Sequence, residues 1–336
     1  MPTRVTLIEG DGIGPEVVRA AVRAVEATGT SIDWDPRPAG AGAVVSHGAP
    51  LPSETLEAIR NTRLCLKGPL ATPIGGGYAS VNVALRREFD LYANVRPARL
   101  FAGLPGRYDK VDLVVVRENT QGEYSGIEHY IDPTRNAAEA ISIITRHGCD
   151  RIVRFAFEYA RANRRQKVTL VHKANILKMT SGLFLETGRE IAKSYPDIAF
   201  GDLIVDNTAM QLVRDPSRFD VIVTTNLFGD ILSDLTAGLV GGLGLVAGAN
   251  IGEGAAIFEA VHGTAPDIAG QGVANPTAVM LAGAMMLERL GERERGVRLE
   301  AAIRRVIAAG QDLTPDLGGR GTTSSFTDRV VAALQG

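Results

Sequence analysis

Four short apolar runs in the middle of the chain restrict its possible folds more than any other feature. Each run is rich in β-branched residues, is short enough to be a buried strand, and ends in charged or amide side chains. The runs are residues 111–116 before Arg117, 168–171 before Lys173, 203–205 before Asp206, and 219–225 before Asn226 and Asp230. In open α/β sheets, ligands bind beyond the carboxyl ends of the strands. The polar strand ends therefore predict a binding site at one edge of a sheet.

Strands and helices alternate along the rest of the chain. Strands are predicted near residues 4–8, 31–37 and 64–67, and helices near 16–28, 53–61, 80–87, 150–161, 277–290, 298–309 and 328–334. This alternation predicts an α/β protein with a mainly parallel sheet. A length of 336 residues favours about two domains.

A glycine-rich segment, residues 9–16, follows the first predicted strand. Gly10, Gly12 and Gly14 are spaced as G-x-G-x-G-P, whereas the dinucleotide fingerprint is G-x-G-x-x-G and would place a glycine where Pro15 stands. We therefore predict a tight strand-to-helix turn with Pro15 at an early helical position. The alternative is a standard Rossmann site.

Asp230 and Asp234 lie four residues apart at the predicted start of a helix, so their carboxylates share one face. Like charges in this arrangement repel by about 0.2–0.5 kcal/mol, and a cation between them would remove that cost. With water and ligand oxygens, two carboxylates suit Mg²⁺ or Mn²⁺. The alternative is a solvated face with a capping Asp.

Arginines accompany these acids. Arg117 ends one predicted strand, and the preceding helix and the segment after it add Ser80, Asn82, Arg86 and Arg96. Because the arginine fork suits carboxylate and phosphate alike, acids beside arginines predict a small polyanion chelated to a metal. The alternative for the Arg86 pair is a solvated helix face.

Lys173 and Tyr124 are the candidates for proton transfer, since the pKa values of both side chains respond strongly to neighbouring charges. For Tyr124 the alternative is packing in a loop. Neither His172 nor His262 has a second histidine at ligand spacing, so neither is interpreted as a metal ligand.

Composition excludes several classes of protein. Hydrophobic content of 45% and charged content of 22% are those of an ordinary globular protein, and a net charge of −2 does not support a nucleic-acid surface. Cys65 and Cys149 form no CxxC pair, which indicates a reducing compartment and no zinc site. No signal segment or membrane span is recognisable, so a cytoplasmic location is expected. Zinc-protease, α/β-hydrolase and P-loop motifs are absent from the sequence.

Several motifs together resemble one known family, the β-decarboxylating dehydrogenases that act on isocitrate, isopropylmalate and homoisocitrate. The motifs are GDGIGPE at 10–16, DLYANVRP at 90–97, RENTQGEY at 117–124, HKAN at 172–175, NLFGDILSD at 226–234 and HGTAPD at 262–267. The resemblance covers essentially the whole chain. It implies an α/β fold that is not a Rossmann domain. Its large domain would comprise residues 1–97 and 245–336, and its smaller domain residues 98–244, with a dimer clasp at about 120–142.

The resemblance also implies roles for individual residues. The implied catalytic residues are Tyr124 and Lys173, and the implied substrate-binding residues are Ser80, Asn82, Arg86, Arg96, Arg117 and Asn175. The implied cofactor-binding residues are Thr72, His262, Gly263, Thr264, Ala265, Pro266, Asp267, Ile268 and Asn275. Mg²⁺ or Mn²⁺ would be held by Asp230 and Asp234, with Asp206 from a second subunit. Lys173 is also expected from the neighbouring subunit, so a homodimer would be the smallest working unit.

Substrate and cofactor choice follow from three positions within this resemblance. Ser80 and Asn82 look like the isocitrate form, because a hydroxyl and an amide suit a third carboxylate and would be poorly paired against an alkyl group. Asp267 favours NAD, because a carboxylate accepts hydrogen bonds from ribose hydroxyls and repels a 2′-phosphate. Homoisocitrate dehydrogenase is the main alternative. The alternatives from other classes are a metal-dependent phosphatase and a non-catalytic regulatory subunit.

Overall fold

The computed structural model describes residues 2–73 and 77–335. Within these residues the strands are β1 (Thr3–Ile8), β2 (Ile32–Pro36), β3 (Leu64–Lys67), β4 (Ala93–Arg99), β5 (Asp112–Glu118), β6 (Glu128–Tyr130), β7 (Ala138–Ala140), β8 (Lys167–His172), β9 (Ala199–Ile204), β10 (Val221–Thr224), β11 (Ala247–Ile251) and β12 (Ala256–Ala260). The helices are α1 (Gly14–Ala27), α2 (Ala41–His47), α3 (Ser53–Thr62), α4 (Val81–Glu88), α5 (Arg146–Ala162), α6 (Thr180–Ala192), α7 (Val205–Arg214), α8 (Asn226–Leu239), α9 (Thr277–Arg289), α10 (Arg293–Ala309) and α11 (Thr323–Gln335).

These elements form two compact units. The terminal unit comprises Met1–Phe89, Leu100–Arg107 and Val240–Gly336, and the central unit comprises Asp90–Arg99 and Tyr108–Leu239. The sequence-based division assigned residues 90–97 to the large domain. Here that segment belongs to the central unit, because β4 pairs along its whole length with β5. Residues 100–107 and 240–244, which the sequence-based division assigned to the smaller domain, belong to the terminal unit.

The terminal unit is built on strands in the order β2-β1-β3-β12-β11. Neighbouring strands are parallel except for the antiparallel pair β11 and β12. Helix α1 buries Val17, Val18, Ala21 and Val25 on one face, which is the helical spacing that the sequence predicts. Pro15 is the second residue of α1, in agreement with the predicted turn.

The central unit is built on strands in the order β4-β5-β10-β8-β9. Strands β5, β10, β8 and β9 are parallel to one another, and β4 is antiparallel to β5. Helix α5 buries Ile152 and Phe157 completely, whereas Phe155 and Tyr159 stack at 6.4 Å on its half-buried side. Because four strands are parallel, their carboxyl ends meet at one edge of the sheet.

Element boundaries differ from those predicted at two functionally relevant places. Helix α8 begins at Asn226 rather than at Asp230, so the aspartates lie in its second and third turns. Strand β5 continues to Glu118, so Arg117 lies inside the strand and not beyond it. The segment 120–142 carries an exposed antiparallel hairpin of β6 and β7, and its role as a dimer clasp stays a prediction. Within the described residues, no helix is both long enough and apolar enough to cross a membrane.

A buried ion pair joins β3 to β12 in the terminal unit. Lys67 Nζ lies 2.6 Å from Glu259 Oε2, and the two side chains are 2% and 9% exposed. Asn250 Nδ2 donates to Glu259 Oε1 at 2.7 Å. Burial raises the pKa of the Glu259 carboxyl, but the charges of Lys67 and Arg86 and the hydrogen bonds from Lys67 and Asn250 outweigh it and lower the pKa to about 2. The ionised carboxylate therefore stabilises the fold above pH 4.5, and this contribution is lost as the pH falls towards 2.

Replacing Lys67 by methionine should lower the free energy of unfolding by about 3–5 kcal/mol, because it leaves the Glu259 carboxylate buried without its cation. The measurement is urea unfolding at neutral pH. The matched control is the double variant Lys67→Met/Glu259→Gln, which should lose less because it buries no unpaired charge. An unfolding free energy unchanged by Lys67→Met alone would contradict the prediction.

Candidate active site

Arg117 lies at the carboxyl end of β5, opposite Thr224 of β10, and its side chain is only 1% exposed. Its Nε and Nη2 atoms donate to Asn226 Oδ1 at 3.0 and 2.6 Å, and Nη1 bonds Asp230. A Cβ at position 229 would lie 2.5 Å from Arg117 Cγ, so the absence of a side chain there gives the arginine its path past α8. The first turns of α8 therefore orient this buried cation.

Arg96 of β4 connects the two aspartates of α8. Its Nη1 atom donates to Asp234 Oδ1 at 3.2 Å and to Ser233 Oγ at 2.6 Å, and lies 3.6 Å from Asp230 Oδ1. Its Nε atom donates to Asn94 Oδ1 at 2.8 Å. Asp230 and Asp234 thus share one face of α8, as the four-residue spacing predicts, with an arginine beside both.

Tyr124 belongs to a short 3₁₀ turn, Glu123–Ser125, and its hydroxyl donates to Asp230 Oδ2. The Arg117 guanidinium carbon lies 5.1 Å from the centre of the Tyr124 ring. Burial, together with the hydrogen bond and charge of Asp230, raises the pKa of Tyr124, and Arg117 opposes this only in part. Tyr124 therefore keeps its proton at neutral pH, and it lies among charged side chains rather than packing in an apolar loop.

A second polar set lies at the ends of β8 and β9. Lys173 Nζ lies 2.6 Å from Asp206 Oδ1, and the hydrogen bond from Lys173 lowers the pKa of Asp206. The Asp206 side chain is 68% exposed, and Asn175 is also exposed. His172 Nε2 lies 3.3 Å from Asp202 Oδ1, and His172 Nδ1 accepts from the Ala174 backbone N–H at 3.0 Å. The ion pair therefore consists of a half-buried lysine and an exposed aspartate.

The predicted metal ligands are divided between these two sets. Among residues 2–73 and 77–335, no group of three or more His, Cys, Asp and Glu side chains could hold a metal ion. Burial raises the pKa of Asp234, and the charge of Asp230 adds to that effect, whereas Arg96 opposes it. The two carboxylates of α8 lie one turn apart and repel each other, and their oxygens are suitable metal ligands. This arrangement fits Mg²⁺ or Mn²⁺ if other groups complete the coordination.

The remaining predicted substrate residues lie on α4 of the terminal unit. Ser80 caps this helix by accepting from the Val83 N–H at 3.4 Å, and Thr72 Oγ1 donates to Ser80 Oγ at 3.5 Å. Arg86 is buried, so the solvated-face alternative is wrong for it. Asn82 Oδ1 is buried with no hydrogen-bond partner among the described residues. Buried unpaired polar atoms are rare and often mark a place where a ligand or water binds.

The predicted cofactor residues lie in three loop segments of the terminal unit, at Thr72, at residues 262–268 and at Asn275. His262 Nδ1 lies 2.9 Å from the Gly263 carbonyl oxygen, and burial lowers the pKa of His262. His262 Nε2 is buried without a partner in the described part of the chain. Asp267 is exposed. Asn275 has both ends of its amide occupied, because Nδ2 donates to Asp316 Oδ2 at 2.9 Å and Oδ1 accepts from the Thr277 N–H at 3.0 Å.

A family model described as isocitrate/isopropylmalate dehydrogenase matches residues 4–330. The chain belongs to this family. Its fold agrees with that membership: a crystal structure of isocitrate dehydrogenase from Methylococcus capsulatus is 59% identical, has a TM-score of 0.97 and matches over 100% of both chains. The predicted fold class and the resemblance to the isocitrate/isopropylmalate dehydrogenase family are thereby confirmed.

Curated relatives in the isocitrate/isopropylmalate dehydrogenase family carry two kinds of name. A mitochondrial isocitrate dehydrogenase (NAD) of Arabidopsis thaliana, named catalytic subunit 5, is 48% identical over 98% of this chain and 88% of its own length. A mitochondrial isocitrate dehydrogenase (NAD) regulatory subunit of Dictyostelium discoideum is 49% identical over 98% of this chain and 92% of its own length. Overall similarity therefore does not separate a catalytic from a regulatory chain, and the site residues must do so.

Sequence reasoning did not single out Asn94, Asn226 and Ser233 as orienting residues, although Asn226 and Ser233 lie in the stretch around the two aspartates. They orient Arg96 and Arg117, and all three are buried. In the sequence, these residues could be recognised only as neutral polar residues within an apolar strand or on the inner face of a helix. A buried amide or hydroxyl must find a partner, so such positions point to a nearby charge.

Proposed function

We propose that this chain catalyses the metal-dependent oxidative decarboxylation of isocitrate to 2-oxoglutarate and CO₂ with reduction of NAD. The observation that carries the proposal is the hydrogen-bonded set of Arg96, Arg117, Tyr124, Asp230 and Asp234 in the central unit. It combines cations for carboxylates, a protonated phenol and a pair of acids. A regulatory chain would not need all of these groups, so the set favours a catalytic chain.

Each residue has a proposed task. Arg86, Arg96 and Arg117 bind substrate carboxylates, since their guanidinium groups offer paired N–H donors. Lys173 assists removal of the substrate hydroxyl proton, and Tyr124 donates a proton to carbon after CO₂ leaves. A divalent cation held by Asp230, Asp234 and a partner's aspartate at position 206 would supply Lewis-acid catalysis. NAD, at Thr72, residues 262–268 and Asn275, would accept the hydride.

The choice of isocitrate rests on α4. The Ser80 hydroxyl and the Asn82 amide can both donate to a third carboxylate, whereas an alkyl group in their place would leave them poorly paired. Homoisocitrate, which is longer by one methylene group, is the second candidate. The choice of NAD rests on exposed Asp267, whose carboxylate favours ribose hydroxyls over a 2′-phosphate.

Initial rates should rank isocitrate above homoisocitrate, and isopropylmalate last, in kcat/KM with NAD and Mg²⁺. An unpaired polar group at a site built for hydrogen bonding can cost a factor of about 10⁴ or more, so isopropylmalate should be turned over very slowly. Parallel assays with NADP should give a lower kcat/KM than NAD. A preference for homoisocitrate or NADP would overturn the corresponding choice, and no reduction of either nucleotide would overturn the function itself.

A homodimer with shared sites is part of the proposal. The central unit exposes large apolar side chains close in sequence to Lys173 and to the aspartates: Ile176, Leu177, Met179, Met210, Val213 and Ile231. Met179 is 83% exposed. Large exposed apolar residues around a polar site favour burial against a partner, and a second copy would bring Lys173 and Asp206 as a pair. The cytoplasmic location predicted from the sequence stays a prediction.

A further inference from the structure

The glycine-rich turn after β1, residues 9–16, contains none of the proposed substrate, cofactor or metal residues, yet its side chains and backbone connect to three loop segments of the terminal unit. These loops are residues 69–72, 262–268 and 270–275, which carry the proposed NAD-binding residues. We propose that the carboxylates of Asp11 and Glu16 are positioning residues that hold these loops in the arrangement that binds NAD. The inference rests on the proposed function, because that function assigns the cofactor to these loops.

Asp11 holds the first loop. Its Oδ2 atom accepts from the Ala71 N–H at 2.8 Å, and its two oxygens accept from the Ala41 N–H at 2.9 and 3.1 Å. The Asp11 N–H donates to the Pro69 carbonyl at 2.8 Å. The residue after Ala71 is Thr72, a proposed cofactor residue. One carboxylate thus ties the start of α2 and the Thr72 loop to the turn.

The backbone of the same turn supports the second loop. The Ile13 N–H donates to the Thr264 carbonyl at 2.9 Å. Gly12 has a φ of +60°, and a Cβ there would lie 2.0 Å from the Thr264 carbonyl oxygen. Only glycine permits this approach, so the turn lies directly against the loop that carries His262 and Asp267.

Glu16, in the first turn of α1, holds the third loop. Its oxygens accept from the Ala274 N–H at 3.0 Å and from the Gly272 N–H at 3.3 Å, and the Thr323 hydroxyl also donates to it. The residue after Ala274 is Asn275, another proposed cofactor residue. The Glu16 carboxylate therefore ties α1 to the loop segment that ends at Asn275.

The test uses Asp11→Asn and Glu16→Gln in the full-length protein. An amide has one accepting oxygen and turns an N–H₂ group towards backbone N–H donors, so neither variant can keep all the bonds. Each variant should raise the KM for NAD and the Kd for NADH by about tenfold, with kcat at saturating NAD close to that of the parent protein. The matched controls are Asp33→Asn and Glu26→Gln, which alter exposed carboxylates of the same unit.

NADH binding is measured by its fluorescence without turnover, and thermal unfolding is recorded for every variant. A lower Tm or a smaller active fraction with unchanged KM and Kd would show a merely structural role and overturn the inference, as would failure of both variants to fold. If the parent protein binds NADH but does not oxidise isocitrate, the proposed function fails while the binding comparison still decides the inference.

Discussion

Replacing Lys173 by methionine is expected to lower kcat by about 10²- to 10⁴-fold while isocitrate still binds, because the variant keeps the length of the side chain and loses its proton-transfer group. Lys173 Nζ lies 2.6 Å from Asp206 Oδ1, and this ion pair lies at the carboxyl end of the β8 and β9 strands. The arginines proposed to bind carboxylates are not altered by the substitution. The loss should therefore appear in kcat and much less in substrate affinity.

Rates of NAD reduction and calorimetric binding of isocitrate with Mg²⁺ are measured on the same preparations. Lys193→Met is the matched control, since Lys193 is an exposed lysine of the same unit that follows α6. Its kinetics should match those of the parent protein. A nearly normal rate for Lys173→Met would remove Lys173 from the proposed mechanism.

Mixing two inactive variants, Lys173→Met and Asp230→Asn, is expected to restore about a quarter of the parent activity if sites are shared across a two-fold dimer. Half of randomly paired dimers are hybrids, and in each hybrid one of the two sites receives an intact Lys173 from one chain and an intact Asp230 from the other. The basis is the division of the polar residues into two sets, one around Asp230 and one around Asp206.

The experiment is co-refolding of the two variants, followed by rate measurements and size-exclusion chromatography. Lys173→Met mixed with Asp206→Asn is the matched control. Both residues belong to the same set, so every hybrid site would lack one of them and no activity should return. If Lys173→Met mixed with Asp230→Asn also stays inactive although hybrids form, the site is not shared in the proposed way.

The α8 helix shows which features of the site the local sequence could predict. The four-residue spacing of Asp230 and Asp234 correctly predicted a shared helical face, because the helical period is a local property. The helix start was placed four residues too late. Asn226 is a mediocre helix former, but its side chain accepts two hydrogen bonds from Arg117, a residue 109 positions away in the chain.

The end of strand β5 at Arg117 was also predicted wrongly, because it too depends on contacts with residues distant in sequence. A charged residue at the end of an apolar run was interpreted as lying beyond the strand, since an unpaired buried charge is costly. In the structure β5 continues through Arg117 and Glu118, because Asn226 and Asp230 satisfy the guanidinium inside the sheet. The buried ion pair of Lys67 and Glu259 was not predicted either, because the two residues are distant in sequence and neither shows locally that it has a partner.

The amino-acid sequence alone was enough to predict the α/β class, the edge of the sheet where polar residues collect, and the types of chemistry available there. These follow from local periodicity and from the rule that parallel strands end at one edge. Which acid pairs with which cation became visible only in the folded chain. Arg96 and Asp234 are 138 residues apart, whereas Lys173 and Asp206 are 33 apart and form a separate pair. Such pairings depend on strand order, which brings distant segments together and which no local pattern encodes.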